Sequence, residues 1–193
     1  MNLSNDNIYI EKVLNGDRSA FSFLINNYKD MVYTIVLKIV RSREDAEEIA
    51  QDVFLKAFQS LSTFRKESRF STWIYRIAYN MAIFKTRQKR VVVEAIDENI
   101  IENYSVDNIH ENVFALDADE KRKLIDVVLD NLPEDECLLI TLYYKEECTV
   151  NDVAEILNLT QSNVKVKLHR TRKKLSQKLN VLIKEKMINL KSC

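Results

Sequence analysis

In 193 residues this chain holds one glycine, Gly16, and one proline, Pro133. β-Hairpins and the connections of parallel sheets draw heavily on both residues. A chain so poor in them is therefore driven towards helices joined by short polar breaks. The fold class expected is all-α, and the length suits two small helical domains. Chemistry is narrowed as well. There is no Gly-rich phosphate loop, and the two histidines, His110 and His169, are too few for a His-based metal or nucleophile constellation. The carboxylates fall on exposed helix faces or in a polar stretch, so no catalytic residue, metal or cofactor is expected. Three cysteines, Cys137, Cys148 and Cys193, show no CxxC spacing. That fits a reduced, cytoplasmic chain with Cys137 in the core. The polar start is not a signal peptide, and the apolar run MVYTIVLKIV (31–40) is too short to cross a bilayer, so no membrane insertion is expected.

Charge is segregated although the net charge is zero. Residues 62–90 carry eight basic residues and one acid, 94–111 six acids and no Lys or Arg, and 161–191 ten basic residues and one acid. Two basic blocks separated by an acidic one point to polyanion binding at two places. Between them, 91–114 loses apolar periodicity and reads as a linker. Helices are expected over roughly 4–14, 18–40, 43–60, 71–90, 117–130, 133–145, 151–158 and 162–187. Ser42 is the natural N-cap of the third, Thr149 or Asn151 of the seventh, and Pro133 falls in the first turn of the sixth.

Three helix faces carry information beyond packing. On 43–60 an apolar seam of Ala46, Ile49, Ala50, Val53, Phe54, Ala57 and Phe58 holds the helical repeat. The opposite face presents Glu44, Glu48, Gln51 and Leu55, flanked by Asp52. It reads either as a docking patch for a basic partner with an apolar pocket or as a solvated face with one stray leucine. On 71–90 the core face expected is Trp73, Ile74, Ile77, Met81 and Phe84. Beside it runs a stripe of Thr72, Arg76, Tyr79, Asn80, Ile83 and Arg87, preceded by a loop with Phe64, Arg65, Lys66, Arg69 and Phe70. Cations, amides and rings together suit unstacked bases and their phosphates, although packing rings beside a soluble basic face would have the same composition.

The third face lies in TVNDVAEILNLTQSNVKVKLHRTRKKL (149–175). A short capped helix, a four-residue turn and a longer basic helix make a helix-turn-helix pattern. Val164, Leu168, Thr171 and Leu175 form the seam of the second helix. Ser162, Asn163, Val166, His169, Arg170, Lys173 and Gln177 lie opposite, with Lys165, Lys167, Arg172 and Lys174 at the flanks. Asn and Arg can make paired contacts to base edges and Val166 could meet a thymine methyl. A basic amphipathic helix lying on a membrane is the competing reading.

These stretches resemble a known family. REDAEEIAQDVFLKAF (43–58) is similar to region 2 of the extracytoplasmic-function group of sigma-70 factors. RFSTWIYRIAYNMAIFKTRQKR (69–90) resembles its promoter-melting and −10-reading segment, and LPEDECLLITLYYKEECTVNDVAEILNLTQSNVKVKLHRTRKKL (132–175) resembles region 4. The resemblance implies a region 2 domain over 1–92, a linker over 93–115 that threads the polymerase's RNA path, and a region 4 domain over 116–193. It implies that Glu44, Glu48, Gln51, Asp52 and Leu55 dock on the β′ clamp helices of bacterial RNA polymerase, with the β flap as a further contact. Phe64, Arg65, Lys66, Arg69, Phe70, Arg76, Tyr79, Asn80 and Ile83 would capture −10 bases. Lys85, Arg87, Lys89 and Arg90 would hold the duplex upstream. Ser162, Asn163, Lys165, Val166, Lys167, His169, Arg170, Lys173 and Lys174 would serve the −35 element. The turn of the helix-turn-helix departs from the usual pattern in having no glycine, with Asn158 and Asn163 near where small residues are often found.

The function implied is direction of core polymerase to promoters, with promoter DNA and an anti-sigma factor as further partners. The place implied is the cytoplasm, on the nucleoid when active, a membrane-bound anti-sigma being compatible with that. Two alternatives compete: a stand-alone helix-turn-helix regulator that binds an operator as a dimer, and an adaptor that only binds an anti-sigma.

Overall fold

A computed structural model describes residues 3–90 and 131–191 and, between them, 119, 124, 125 and 127–129; the side chains of 3, 4, 88–90 and 184–191 are not described. The expected linker and most of the expected helix 117–130 therefore lie outside the described residues, as do Cys193, His110 and the side chains of Lys89 and Arg90. Among the described residues the secondary structure is helical throughout.

The first group of helices is built on α2 (Phe21–Val40), whose stripe of Phe21, Leu24, Tyr28, Met31, Val32, Ile35, Val36 and Ile39 is buried along its length. α1 (Leu3–Leu14) leans on it through Ile10 and Val13. The break between them needs Gly16, whose φ of +103° is one that residues with a side chain rarely adopt. Asp17 then accepts from the Ser19 N–H at 3.1 Å and starts a 3₁₀ turn, Arg18–Ala20, ahead of α2. Arg41 closes α2 in the left-handed region at φ 57°. Ser42 caps α3 (Arg43–Gln59), accepting from the Asp45 N–H at 3.2 Å as its position in the sequence demanded. A 3₁₀ turn, Leu61–Thr63, and a loop lead to α4 (Phe70–Arg90), which packs on both α2 and α3.

The second group opens with α5 (Glu134–Ile140). Pro133 precedes it and Glu134, Asp135 and Glu136 fill its first turn, where acids suit the positive end of the helix. The expected helix 133–145 does not stay α: it widens into a π-turn over Thr141–Lys145. Thr149 and Asp152 form a reciprocal capping box at the start of α6 (Val150–Leu157), which decides the cap in favour of Thr149. Asn158 ends α6 in the left-handed region at φ 54°. An asparagine thus does what a glycine commonly does in such a turn. Thr160 accepts from the Asn163 N–H at 3.2 Å and starts the long helix α7 (Gln161–Lys191).

The two groups do not stand apart. α6 lies across α4 and α5 lies against α2. Buried residues of both, including Trp73 and Ile74 on one side and Val153, Ile156 and Leu157 on the other, belong to one apolar cluster. Cys137 and Cys148 are buried and free of disulfides. Burial pushes the Cys148 thiol up to about 12.

Candidate nucleic-acid interface and docking patch

On α3 the seam buries Ala46, Ile49, Val53, Phe54 and Ala57, which turns Glu44, Glu48, Gln51, Asp52 and Leu55 outward. Leu55 is 56% exposed and ringed by acids and an amide. Glu48 lies 3.7 Å from Lys85 of α4, an ion pair loose enough to yield to a partner. A helix with one buried face and one exposed leucine among carboxylates can take a complementary basic surface without disturbing its own core.

The α4 stripe is divided by packing. Tyr75 and Thr72 are buried, Tyr79 and Ile83 half-buried, Asn80 and Arg87 exposed. Two expectations fail here. Phe70 is 2% exposed. It packs beside Phe64, Trp73 and Tyr28, with ring centroids 5.4–5.7 Å away, so its ring is structural and cannot stack on a base in this state. Phe64 is half-buried in the same ring cluster. Phe84, expected in the core, is 64% exposed, because the seam of α4 follows Ile74, Tyr75, Ala78 and Ala82 and turns Phe84 away from it. Its ring stands on the surface between Asn80 and Arg87 in helical spacing.

The cations of this region are held rather than loose. Lys66, in the left-handed region at φ 60°, reaches Glu11 at 2.8 Å. Arg69 donates to Asp152 at 2.8 Å and Arg76 to Glu155 at 3.0 Å, both acids on α6. Thr72 donates to the other oxygen of Asp152 at 2.9 Å, and Ser68 to Glu155 at 3.3 Å. Tyr75 donates to Glu146 at 3.0 Å. Burial opposes charge on Asp152, but hydrogen bonds from Thr149 and Thr72 and the Arg69 guanidinium outweigh it and hold the carboxyl below its ordinary range. Of the described loop and stripe cations, Arg69 and Arg76 pair with α6, while Lys66 pairs with Glu11 of α1 and Lys85 with Glu48 of α3. A polar cleft of about 540 Å³ opens between the stripe and the helix-turn-helix, lined by Arg76, Asn80, Asn151, Glu155, Asn158 and Gln161 among others.

On α7, Val164, Leu168 and Thr171 are buried and Leu175 is half-buried. Ser162, Asn163, Lys165, Val166, His169, Arg170, Lys173 and Lys174 face outward as expected, and Val166 is 46% exposed. The flanks are less free than their charge implied. Lys167 donates to Asp135 at 2.8 Å and Lys174 pairs with Glu136 at 2.5 Å, both in the first turn of α5. Arg172 lies over the rings of Tyr143 and Tyr144, 5.8 and 5.7 Å from their centroids. These contacts brace α7 against α5 and the π-turn. Lys165, Arg170 and Lys173 remain the exposed cations best placed for phosphates or base edges.

Two segments of the chain match family models in the order the faces lie: residues 24–91 match Sigma-70 region 2 and residues 122–175 match Sigma-70, region 4. The ECF RNA polymerase sigma-E factor of Haemophilus influenzae is 32% identical over 184 residues, covering 92% of this chain and 97% of that protein. The ECF RNA polymerase sigma factor SigW of Bacillus subtilis is 31% identical over 180 residues, covering 90% and 96%. The chain belongs to the extracytoplasmic-function sigma factors of the sigma-70 family. Its fold is shared with two solved structures. One is CnrH in complex with the cytosolic domain of CnrY, with a TM-score of 0.63 and 20% identity over 91% of this chain and 97% of that one. The other is the sigma factor RpoE of Bartonella quintana with the anti-sigma factor NepR, with a TM-score of 0.61 and 20% identity over 83% and 97%. A stand-alone helix-turn-helix regulator is not favoured, because the match extends over both regions. Among the described residues no helix is long and apolar enough to cross a membrane.

The residues that sequence reasoning missed are the acids opposite the α4 stripe. Neither Asp152 nor Glu155, three residues on, is singled out by the sequence reading. Their spacing put both on one face of a short helix, but nothing local told what that face would meet.

Proposed function

We propose that this sigma factor directs bacterial core RNA polymerase to promoters by three surfaces with separate tasks. Glu44, Glu48, Gln51, Asp52 and Leu55 dock on the β′ clamp helices. Arg65, Lys66, Arg69, Arg76, Tyr79, Asn80 and Ile83 receive the −10 bases of the opened strand, with Lys85, Arg87 and Arg90 on the duplex upstream. Ser162, Asn163, Lys165, Val166, His169, Arg170 and Lys173 address the −35 element. Residues 1–92 supply the first two tasks and 116–193 the third, joined by 93–115. The observation that carries this reading is the α7 face. Asn163, Val166 and Arg170 are all exposed on the side opposite the buried seam, on a helix that follows a capped α6 and a tight turn. That is the arrangement a major groove accepts.

Each module alone offers a small footprint. Holding both on one polymerase makes the second promoter contact effectively intramolecular, and the spacing on the enzyme sets the distance between the two elements. Opening the −10 duplex costs stacking, and rings and polar groups that receive the freed bases offset it. Bond formation belongs to the polymerase; the sigma chain contributes no catalytic group. The fold neighbour solved with the anti-sigma factor NepR supports an anti-sigma factor as a further partner, and the working place is the cytoplasm, on the nucleoid. Run-off transcription tests the reading. The purified chain added to core polymerase gives a transcript of defined start on a responsive promoter, and an identical transcript pattern without the chain would refute it.

A further inference from the structure

We propose that Phe84 is a stacking residue at the upstream edge of the opened strand: its ring covers the last paired bases, while Asn80, one helical turn before it, faces the first freed ones. This rests on the assignment of the α4 stripe to the −10 element and adds a residue that the stripe did not include. Phe84 is 64% exposed. Among the described residues it is the one phenylalanine that stands largely in water; the others are buried or half-buried. The loop before α4 does not offer a free ring. Phe70 is 2% exposed and Trp73 8%, and Phe64 lies against both, its centroid 5.7 and 5.4 Å from theirs. On α4 itself Tyr75 is buried and Tyr79 half-buried. Opening a duplex removes stacking partners, and an aromatic face is what replaces them. On this surface the available face belongs to Phe84.

Its place along α4 fixes what it meets. At about 1.5 Å of rise per residue, Phe84 lies about 6 Å beyond Asn80 and about 4.5 Å short of Arg87, on one face with both. Asn80 and Arg87 are exposed. The amide suits a base edge and the guanidinium a phosphate. A ring set between them stands where single strand passes into duplex. The end of a base stack is flat and apolar, and a ring without polar atoms covers it whatever its sequence. Charge favours nucleic acid over a protein partner here. Leu55 on α3 is surrounded by acids, whereas α4 carries Arg76, Lys85 and Arg87 near Phe84 and no acid anywhere over Phe70–Arg90. A polyanion therefore meets no carboxylate of that helix. Phe84 also lies outside the lining of the cleft that faces α6.

The test uses the full chain on core polymerase. Its probe is a fluorescein-labelled fork cut from a responsive promoter, duplex upstream and the non-template strand alone across the −10 element. Phe84→Ala is expected to weaken fork binding by about five- to twentyfold, the lower part of the range for loss of one stacked ring. Phe84→Trp is expected to stay within about twofold of wild type, because it keeps the π-face. Phe84→Leu, apolar but without that face, is expected to fall with alanine. The ring carries no charge, so Phe84→Ala should leave the salt dependence of fork binding as in wild type, whereas Arg87→Ala should lower its slope. Affinity for core polymerase without DNA, and thermal unfolding, should be unchanged, since an exposed ring has little packing to lose. A Phe84→Ala chain that holds the fork as wild type does, or a leucine as good as the ring, would overturn the stacking role. So would an equal loss of affinity for core polymerase alone, which would move Phe84 to the docking surface. Failure of the promoter reading is separable, because it appears in the wild-type chain, which then adds nothing to the initiation or the fork affinity of core polymerase; the stacking role falls with it.

Discussion

Replacing Leu55 by aspartate separates docking from folding. Leu55 is 56% exposed on a helix whose other face is the core. Most of its side chain therefore has no packing to lose, and the substitution should shift stability by no more than about 0.5 kcal/mol, as for ordinary surface positions. For a chain of this size that is about 1–2 °C in Tm. Docking is another matter. Full burial of a leucine side chain contributes about 1.5–3 kcal/mol, and the exposed share here corresponds to about 1–1.5 kcal/mol still to be gained on a partner. An aspartate forfeits that and adds a charge that must be desolvated against an apolar pocket. Affinity for core polymerase should fall by about tenfold or more, given about 1.4 kcal/mol per decade. Thermal unfolding and equilibrium binding to purified core enzyme measure both quantities on one preparation. A Tm loss well beyond a few degrees, or an affinity within twofold of wild type, would refute the assignment of this leucine to the docking face.

Other consequences follow from the same geometry. Asn163→Ala or Arg170→Ala should relax −35 preference by about 1–3 kcal/mol per lost paired contact, read from initiation on a −35 substitution series; an unchanged preference removes that residue from the readout. Asp152 has a folded carboxyl below its ordinary value of 3.8, so its contribution to stability is present above that pH and is lost as the pH falls through the lowered value. Asp152→Asn should therefore flatten the acid limb of the stability curve relative to wild type, and parallel limbs would contradict it. The comparison is made as a difference because burial shifts Asp6 upward, the opposite sense. Asp152→Ala, which also removes the reciprocal half of the α6 capping box, should cost about 1–2 kcal/mol in denaturant unfolding. Cys148, buried with its thiol pushed up to about 12, should resist a thiol reagent at neutral pH until the chain is unfolded, which peptide mapping of the labelled site would show.

Much of the fold was legible because it is local. The seams of 43–60 and 162–175, the Ser42 cap and the acids after Pro133 are each decided by neighbours within a turn or two, and the structure reproduces them. The failures mark where locality ends. Phe70, read as a loop residue, opens α4 and is buried, whereas Phe84, read as core, is exposed because the seam of α4 is shifted by one residue. Nothing in the sequence near Asn158 announced its left-handed conformation beyond the missing glycine, yet that conformation sets the turn that leads into α7. The acids facing Arg69 and Arg76 lie about eighty residues away along the chain, and such pairings follow from how helices cross. They do not follow from periodicity.

The account's central claim is that α4 and α7 meet two different parts of one promoter while the chain is held on polymerase. Site-specific photocrosslinking from positions 80 and 170 in a complex of sigma, core enzyme and promoter tests it most directly. Position 80 should label the non-template strand of the −10 element and position 170 the −35 element, both only when core polymerase is present. Labels exchanged between the two elements, or appearing in equal yield on duplex DNA with no polymerase, would contradict it.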